Sequence, residues 1–125
     1  MYEIEIREVP EAIKKLTGEN QAKINAANEG IHESGKFLKA EIVMSISGQR
    51  AEQKSVDTGR FMGDVNFDNS ELFSSKIFTN LDYPVHLEYG TSTMAPRRHF
   101  NNSLARNRVK INKFIQDKIN QAKLV

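Results

Sequence analysis

Few residues in this chain have the type and spacing to do chemistry, and the first of them is Asp57-Thr58-Gly59. Aspartic proteases hold their catalytic carboxylate in this triplet, and two such carboxylates sharing one proton can activate a water molecule. A chain of this length could build the pair by dimerising, as retroviral-type proteases do. The surroundings argue otherwise. Gln53-Lys54-Ser55 stands where an apolar strand should lead into the Asp, and Arg60 stands where a small residue should follow. Long helices also contradict an all-β protease. The simpler reading is a turn in which Asp57 accepts local backbone N–H groups and Gly59 is free to take positive φ.

Other chemistries find less. His86 and Glu88 would share one face of a strand, but no third metal ligand follows at a suitable spacing. His32 and His99 have no evident partner. There is no G-x-S-x-G elbow and no glycine-rich phosphate loop. The absence of cysteine excludes disulfides, zinc–thiolate sites and a cysteine nucleophile. The expectation is a protein that is not an enzyme and has no cofactor and no metal.

The elements that would carry these residues follow from periodicity. Tyr2, Ile4 and Ile6 alternate with Glu3, Glu5 and Arg7 as an amphipathic strand. Pro10 opens a turn or short helix with Ile13 and Leu16 as its apolar positions, closed by Thr17-Gly18. From Glu19 to about Ser47, Ile24, Ala27, Ile31, Leu38 and Ile42 form a helical stripe. Ser34 and Gly35 fill its gap, which predicts a close backbone approach there. A polar loop of about 48–57 follows, expected to be mobile. Phe61, Gly63, Val65 and Phe67 then alternate as a strand, Asp68-Asn69-Ser70 turns the chain, and Leu72 to Thr79 returns as a hairpin. Val85, Leu87 and Tyr89 predict a third strand with Tyr89 inward and Glu88 outward. The last helix runs from about Arg97 to Ala122, its stripe made of Leu104, Ile111, Ile115 and Ala122, widened by Phe114 and Ile119. Phe100 is expected to anchor that helix in the core. Two long amphipathic helices and a small sheet must bury their apolar sides on one another, so the fold class is α+β, mainly antiparallel.

All 125 residues fit a single domain, with ordinary proportions of hydrophobic (38%) and charged (27%) residues. No stretch is long enough to span a membrane, and the first residues lack the apolar run of a signal peptide, so cytoplasmic synthesis is expected. The net charge of +2 is unevenly placed. From Met94 onward, Arg97, Arg98, Arg106, Arg108, Lys110, Lys113, Lys118 and Lys123 face one acid, Asp117, a net of +7; the first 93 residues carry −5. Such a split suits a nucleic-acid surface, complementary faces on stacked copies, or simply a solvated helix face.

Three motifs in order carry a resemblance. Val56-Asp57-Thr58-Gly59-Arg60 precedes the hairpin, Tyr83-Pro84-Val85-His86-Leu87-Glu88-Tyr89-Gly90-Thr91 follows it, and Arg97-Arg98-His99-Phe100 opens the last helix. From about Glu19 to Val125 the chain resembles small phage and prophage proteins of the head–tail joining, or tail-completion, family. Pro84 and His99 depart from the usual Ala and Pro of that pattern. The resemblance implies a virion component at the head–tail interface or upper tail, made in the host cytoplasm. It implies a homo-oligomeric ring, a hexamer or dodecamer, contacting other neck and tail proteins. DNA would pass through it without sequence-specific binding. The residues it marks for assembly are Asp57, Thr58, Gly59, Arg60, Tyr83, Glu88, Tyr89, Gly90, Thr91, Arg97, Arg98 and Phe100. An acidic edge of one copy meeting the basic edge of the next would hold such a ring, with Arg97 or Arg98 able to pair with Glu88 or Asp57. Two other readings stand beside it: a nucleic-acid-binding module using the basic last helix, and the aspartic protease through Asp57.

Overall fold

A computed structural model describes residues 1–7, 21–55 and 59–122. The expected short helix at Pro10–Leu16 lies outside them. The elements are β1 (Tyr2–Ile6), α1 (Gln21–Ile46), α2 (Arg60–Gly63), β2 (Asn66–Asp68), β3 (Ser75–Thr79), α3 (Tyr83–Tyr89) and α4 (His99–Gln121). The fold is α+β, with two long helices and a three-stranded antiparallel sheet in the order β1-β3-β2. Ile4 and Phe67 both sit opposite Ile77 on the central strand.

The period-two pattern of β1 works as read. Ile4 and Ile6 turn inward with Ile77, Ser75 and Thr79, while Glu3 stays exposed. α1 lies between the sheet and α4 and joins them. Its stripe is continuous through Ala27, Ile31, Leu38, Ile42 and Ile46, all fully buried. With Ile111, Ile115 and Ile119 of α4 and Phe61, Val65 and Phe100 they form one cluster. Each of the Ile, Leu, Val and Phe side chains stabilises the fold by roughly 1.5–3 kcal/mol through burial.

The gap at Ser34-Gly35 is where the sheet comes closest. A Cβ on Gly35 would overlap the Ser75 side chain, whose own Cβ lies 2.7 Å from that position. Ser34 turns its hydroxyl back onto the Gly30 carbonyl at 2.7 Å. A larger residue at position 35 would push β3 off α1.

Several expectations are corrected. The strand expected from Phe61 to Phe67 forms only at its end: Phe61–Gly63 belong to the short helix α2, Phe61 and Val65 are both buried, and only Asn66–Asp68 pairs with β3. The return strand begins at Ser75, after a turn in which the Asp68 carboxylate accepts the Ser70 N–H at 2.9 Å. The third strand is instead α3, so Glu88 is inward and Tyr89 outward, the reverse of the expectation. In α4 the buried line is Phe100, Ser103, Asn107, Ile111, Ile115 and Ile119; Leu104 is half-buried and Phe114 exposed. In the described part of the loop after α1, the Ser55 N–H bonds the Ile46 carbonyl at 2.8 Å and Glu52 is buried.

Gly35→Ala should cost about 1–3 kcal/mol in urea unfolding, the range for overpacking. In a Ser75→Gly background, where the obstructing side chain is gone, the same change should cost much less.

Candidate functional site

Two of the segments singled out by the sequence, Tyr83–Thr91 and Arg97–Phe100, meet at one corner, where α3 hands the chain to α4. Pro84 sits in the first turn of α3, the position that tolerates a missing N–H and favours a helix start. One turn later Glu88 shares its buried side, while Tyr83, His86 and Tyr89 line the exposed side. Gly90 stops the helix at φ +78°, its N–H on the His86 carbonyl at 2.8 Å. A Cβ here would stand 2.8 Å from the Met94 carbonyl oxygen, because residues 91–94 fold back as a tight turn. The Arg97 and Arg98 N–H groups then both close on the Leu87 carbonyl, at 2.6 and 3.2 Å.

α4 has no cap of its own. Arg98, at its N-cap, is left-handed (φ +54°) and makes no side-chain cap bond. Glu88 supplies the cap from α3. Its carboxylate accepts the Phe100 N–H at 2.5 Å, the Asn101 N–H at 3.3 Å and the Asn101 side-chain amide at 2.9 Å. That amide also bonds the Tyr2 hydroxyl at 2.6 Å, tying β1 to the corner. Burial pushes the Glu88 carboxyl above its usual range, and the Phe100 and Asn101 N–H groups pull it back. The positive end of α4 acts in the same direction as those bonds. Phe100, fully buried, stacks on Phe61 with centroids 6.2 Å apart and takes the Tyr2 ring edge at 5.2 Å.

Beside this cap runs a chain of polar groups. Ser45 donates to the Glu52 carboxylate at 2.6 Å, so it accepts from His99 Nδ1 at 2.8 Å. His99 Nε2 lies 2.7 Å from the Ser55 hydroxyl, which also faces the Gln53 carbonyl at 3.3 Å and accepts from Arg97 at 2.7 Å. Arg106 grips both Glu52 oxygens at 3.0 Å. The hydrogen bonds therefore place a proton on His99 Nδ1. Burial lowers its pKa to about 4. Burial alone would raise Glu52, but Arg106 and Ser45 outweigh it and bring the carboxyl to about 2.

The order of groups resembles a serine–histidine–carboxylate relay, with Ser45 inserted between imidazole and acid. Three features speak for a structural clamp. His99 is sealed from solvent, its low basicity suits it poorly as a general base, and Arg97 already occupies the Ser55 oxygen. The clamp fastens the end of α1 and the loop after it to the start of α4.

Of the residues marked by sequence, Asp57 and Thr58 lie outside the described residues. Gly59 takes the expected positive φ, +81°, ahead of α2, which opens on an exposed Arg60. Glu88, Gly90, Arg97 and Phe100 build the corner, while Tyr83, Tyr89, Thr91 and Arg98 are exposed on it. The expected pairing of Arg97 with Glu88 is not what forms: Arg97 bonds Ser55 and the Lys54 carbonyl. Arg98 stays exposed, and its charge favours the ionised form of Glu88. His86 and Glu88 fall on opposite sides of α3, and His32 bonds the Glu71 carbonyl at 3.1 Å. Ser45, Glu52, Ser55 and Arg106 were not foreseen. Ser45 offered a signal, three residues beyond Ile42 and seven beyond Leu38 on an otherwise apolar stripe.

Two outcomes follow for solution work. Glu88→Ala should lose about 2–3 kcal/mol in urea unfolding, combining a lost cap with buried unpaired N–H groups, and Glu88→Gln clearly less. His99 binds its proton more weakly folded than unfolded, so its contribution is complete above pH 6.5 and falls as pH drops toward 4. The fall should amount to about 3 kcal/mol and vanish in His99→Gln, leaving a separate Glu52-linked loss between about pH 4.5 and 2.

Comparison with family models, curated proteins and solved structures finds no match for this chain.

Proposed function

We propose that this protein is a structural component of a tailed phage or prophage particle, a head–tail connector or tail-completion subunit that assembles into a ring. The observation that carries this reading is the division of labour within the motifs. Glu88, Gly90, Arg97 and Phe100 are spent on building a corner, while Tyr83, Tyr89, Thr91 and Arg98 are displayed on its outside. Such residues are needed for shape and contact, and none of them sits in a geometry suited to turnover. Tyrosine and arginine on an exposed, rigid corner are also the residue types enriched where proteins meet.

The ring places subunits around a channel for DNA, a hexamer or dodecamer against other neck or tail proteins. The charge split gives adjacent copies complementary sides. Arg106 belongs to the Glu52 clamp, so Arg108, Lys110 and Lys113, exposed on α4, are the cations available to a neighbour. Those same cations support a second reading, a nucleic-acid-binding module held by phosphate contacts.

Light scattering coupled to size exclusion, followed by electron microscopy, separates the readings. Discrete rings that loosen with salt are expected. A monomer that binds duplex DNA with steep salt dependence would favour the second reading. A tight dimer with peptidase activity lost in Asp57→Asn would overturn both.

A further inference from the structure

From Ser47 to Ser55 the chain carries one apolar side chain, Ala51, and it is exposed. Of these residues only Glu52 is buried. The segment crosses the end of the core without adding apolar surface to it, whereas α1 and α4 are joined by a continuous apolar cluster.

Polar bonds from two sides hold this strap. On α1, Glu41 accepts from Arg50 at 2.6 Å, Ser45 donates to Glu52 at 2.6 Å, and the Ile46 carbonyl takes the Ser55 N–H at 2.8 Å. From the other side, Arg97 reaches the Lys54 carbonyl at 3.1 Å, His99 lies against the Ser55 hydroxyl, and Arg106 grips the Glu52 carboxylate. Apolar burial is indifferent to pH, but bonds of this kind depend on the protonation of their ends.

Three titratable groups in or under the strap respond to acid with the same sign. Arg50 holds the Glu41 carboxyl below its usual range, and Glu52 is brought to about 2 against its own burial by Arg106 and Ser45. Burial lowers His99 to about 4. From the strap His99 faces Glu52, which favours its charge, and from the segment ahead of α4 it faces Arg97, which opposes it. α1 offers it the uncharged Ser45, and α2 the Phe61 ring at 6.0 Å. Each group binds a proton more readily once the strap has lifted. His99 therefore favours the lifted state as pH falls from 6.5 toward 4, and the two carboxyls add to this below about 4.5.

We propose that Ser47–Ser55 is a proton-released strap, which lifts as a unit from Ser45 and His99 on acidification while α1, α4 and the sheet stay packed. Lifting uncovers a polar surface at the end of the core that is closed at neutral pH. The inference is independent of the assembly reading.

Hydrogen exchange at the Ser55 amide, corrected for the intrinsic rate at each pH, tests it against the Leu38 and Ile42 amides of α1. Ser55 should be less protected than both at every pH, with little dependence on urea, as a local opening requires. Its protection should fall by roughly tenfold or more between about pH 7.5 and 4.5, and only a few-fold in His99→Gln. Ser55 exchange that tracks Leu38 and Ile42 throughout would mean that the strap leaves only with the whole fold, and would overturn the proposal. An unprotected Ser55 amide at neutral pH would do the same, as would an undiminished fall in His99→Gln. Should that variant not fold, the ring signals of wild-type His99 decide: a midpoint well below 6.5 is expected, and titration at 6.5 would remove the trigger.

Discussion

A single buried carboxylate holds the joint between α3 and α4. The last helix starts on a left-handed arginine, with no side chain of its own first turn available to receive its N–H groups. Glu88 receives them from the neighbouring helix. Once that bond forms, Phe100 is placed against Phe61 and Tyr2, and Asn101 is held where it meets the Tyr2 hydroxyl. The first strand, the short third helix and the last helix are therefore located by one buried acid. It tolerates burial because the N–H dipoles aimed at it replace the water it gave up.

Everything else is arranged around α1. One side of this helix meets the sheet at the distance of a glycine, and the opposite side meets α4 through isoleucines. The apolar stripe runs the length of the helix, so both layers share one core. The polar chain through Ser45, His99, Ser55 and Glu52 closes the end of that core, where side chains give way to loop backbone. The network ends on two charged groups, Arg97 and Glu52, and the Glu52 carboxylate sets the direction of the bonds through Ser45 to His99 Nδ1.

The long elements were legible because their periods run long enough to be unambiguous. α1, α4, β1 and the hairpin return could be read from the spacing of isoleucines and leucines, and the close approach at Gly35 from a gap in the stripe. The short elements were not. Seven residues of α3 hold barely two turns, and Val85, Leu87 and Tyr89 alternate as a strand would; Pro84 was the only local sign of a helix start. The same ambiguity hid Phe61 and Val65, four apart and so equally at home on a helix or a strand. The functions of Glu88 and His99 were unreadable for a different reason. Their partners lie twelve or more residues away, His99 bonding Ser45 across 54 positions, and nothing in local spacing encodes a contact that only the tertiary fold creates.

The position of β1 has a consequence for how this molecule is made. Its pairing partner, β3, lies 69 to 77 residues downstream, and Tyr2 meets Asn101 across 99 positions. On a ribosome the first strand emerges long before either partner exists. It must wait as an unpaired ribbon while the rest is synthesised, and the acids at positions 3 and 5 keep that ribbon hydrated and discourage it from pairing with other nascent chains. Tyr2 finds Asn101 only once the start of α4 has been made, so this corner closes late in the order of synthesis.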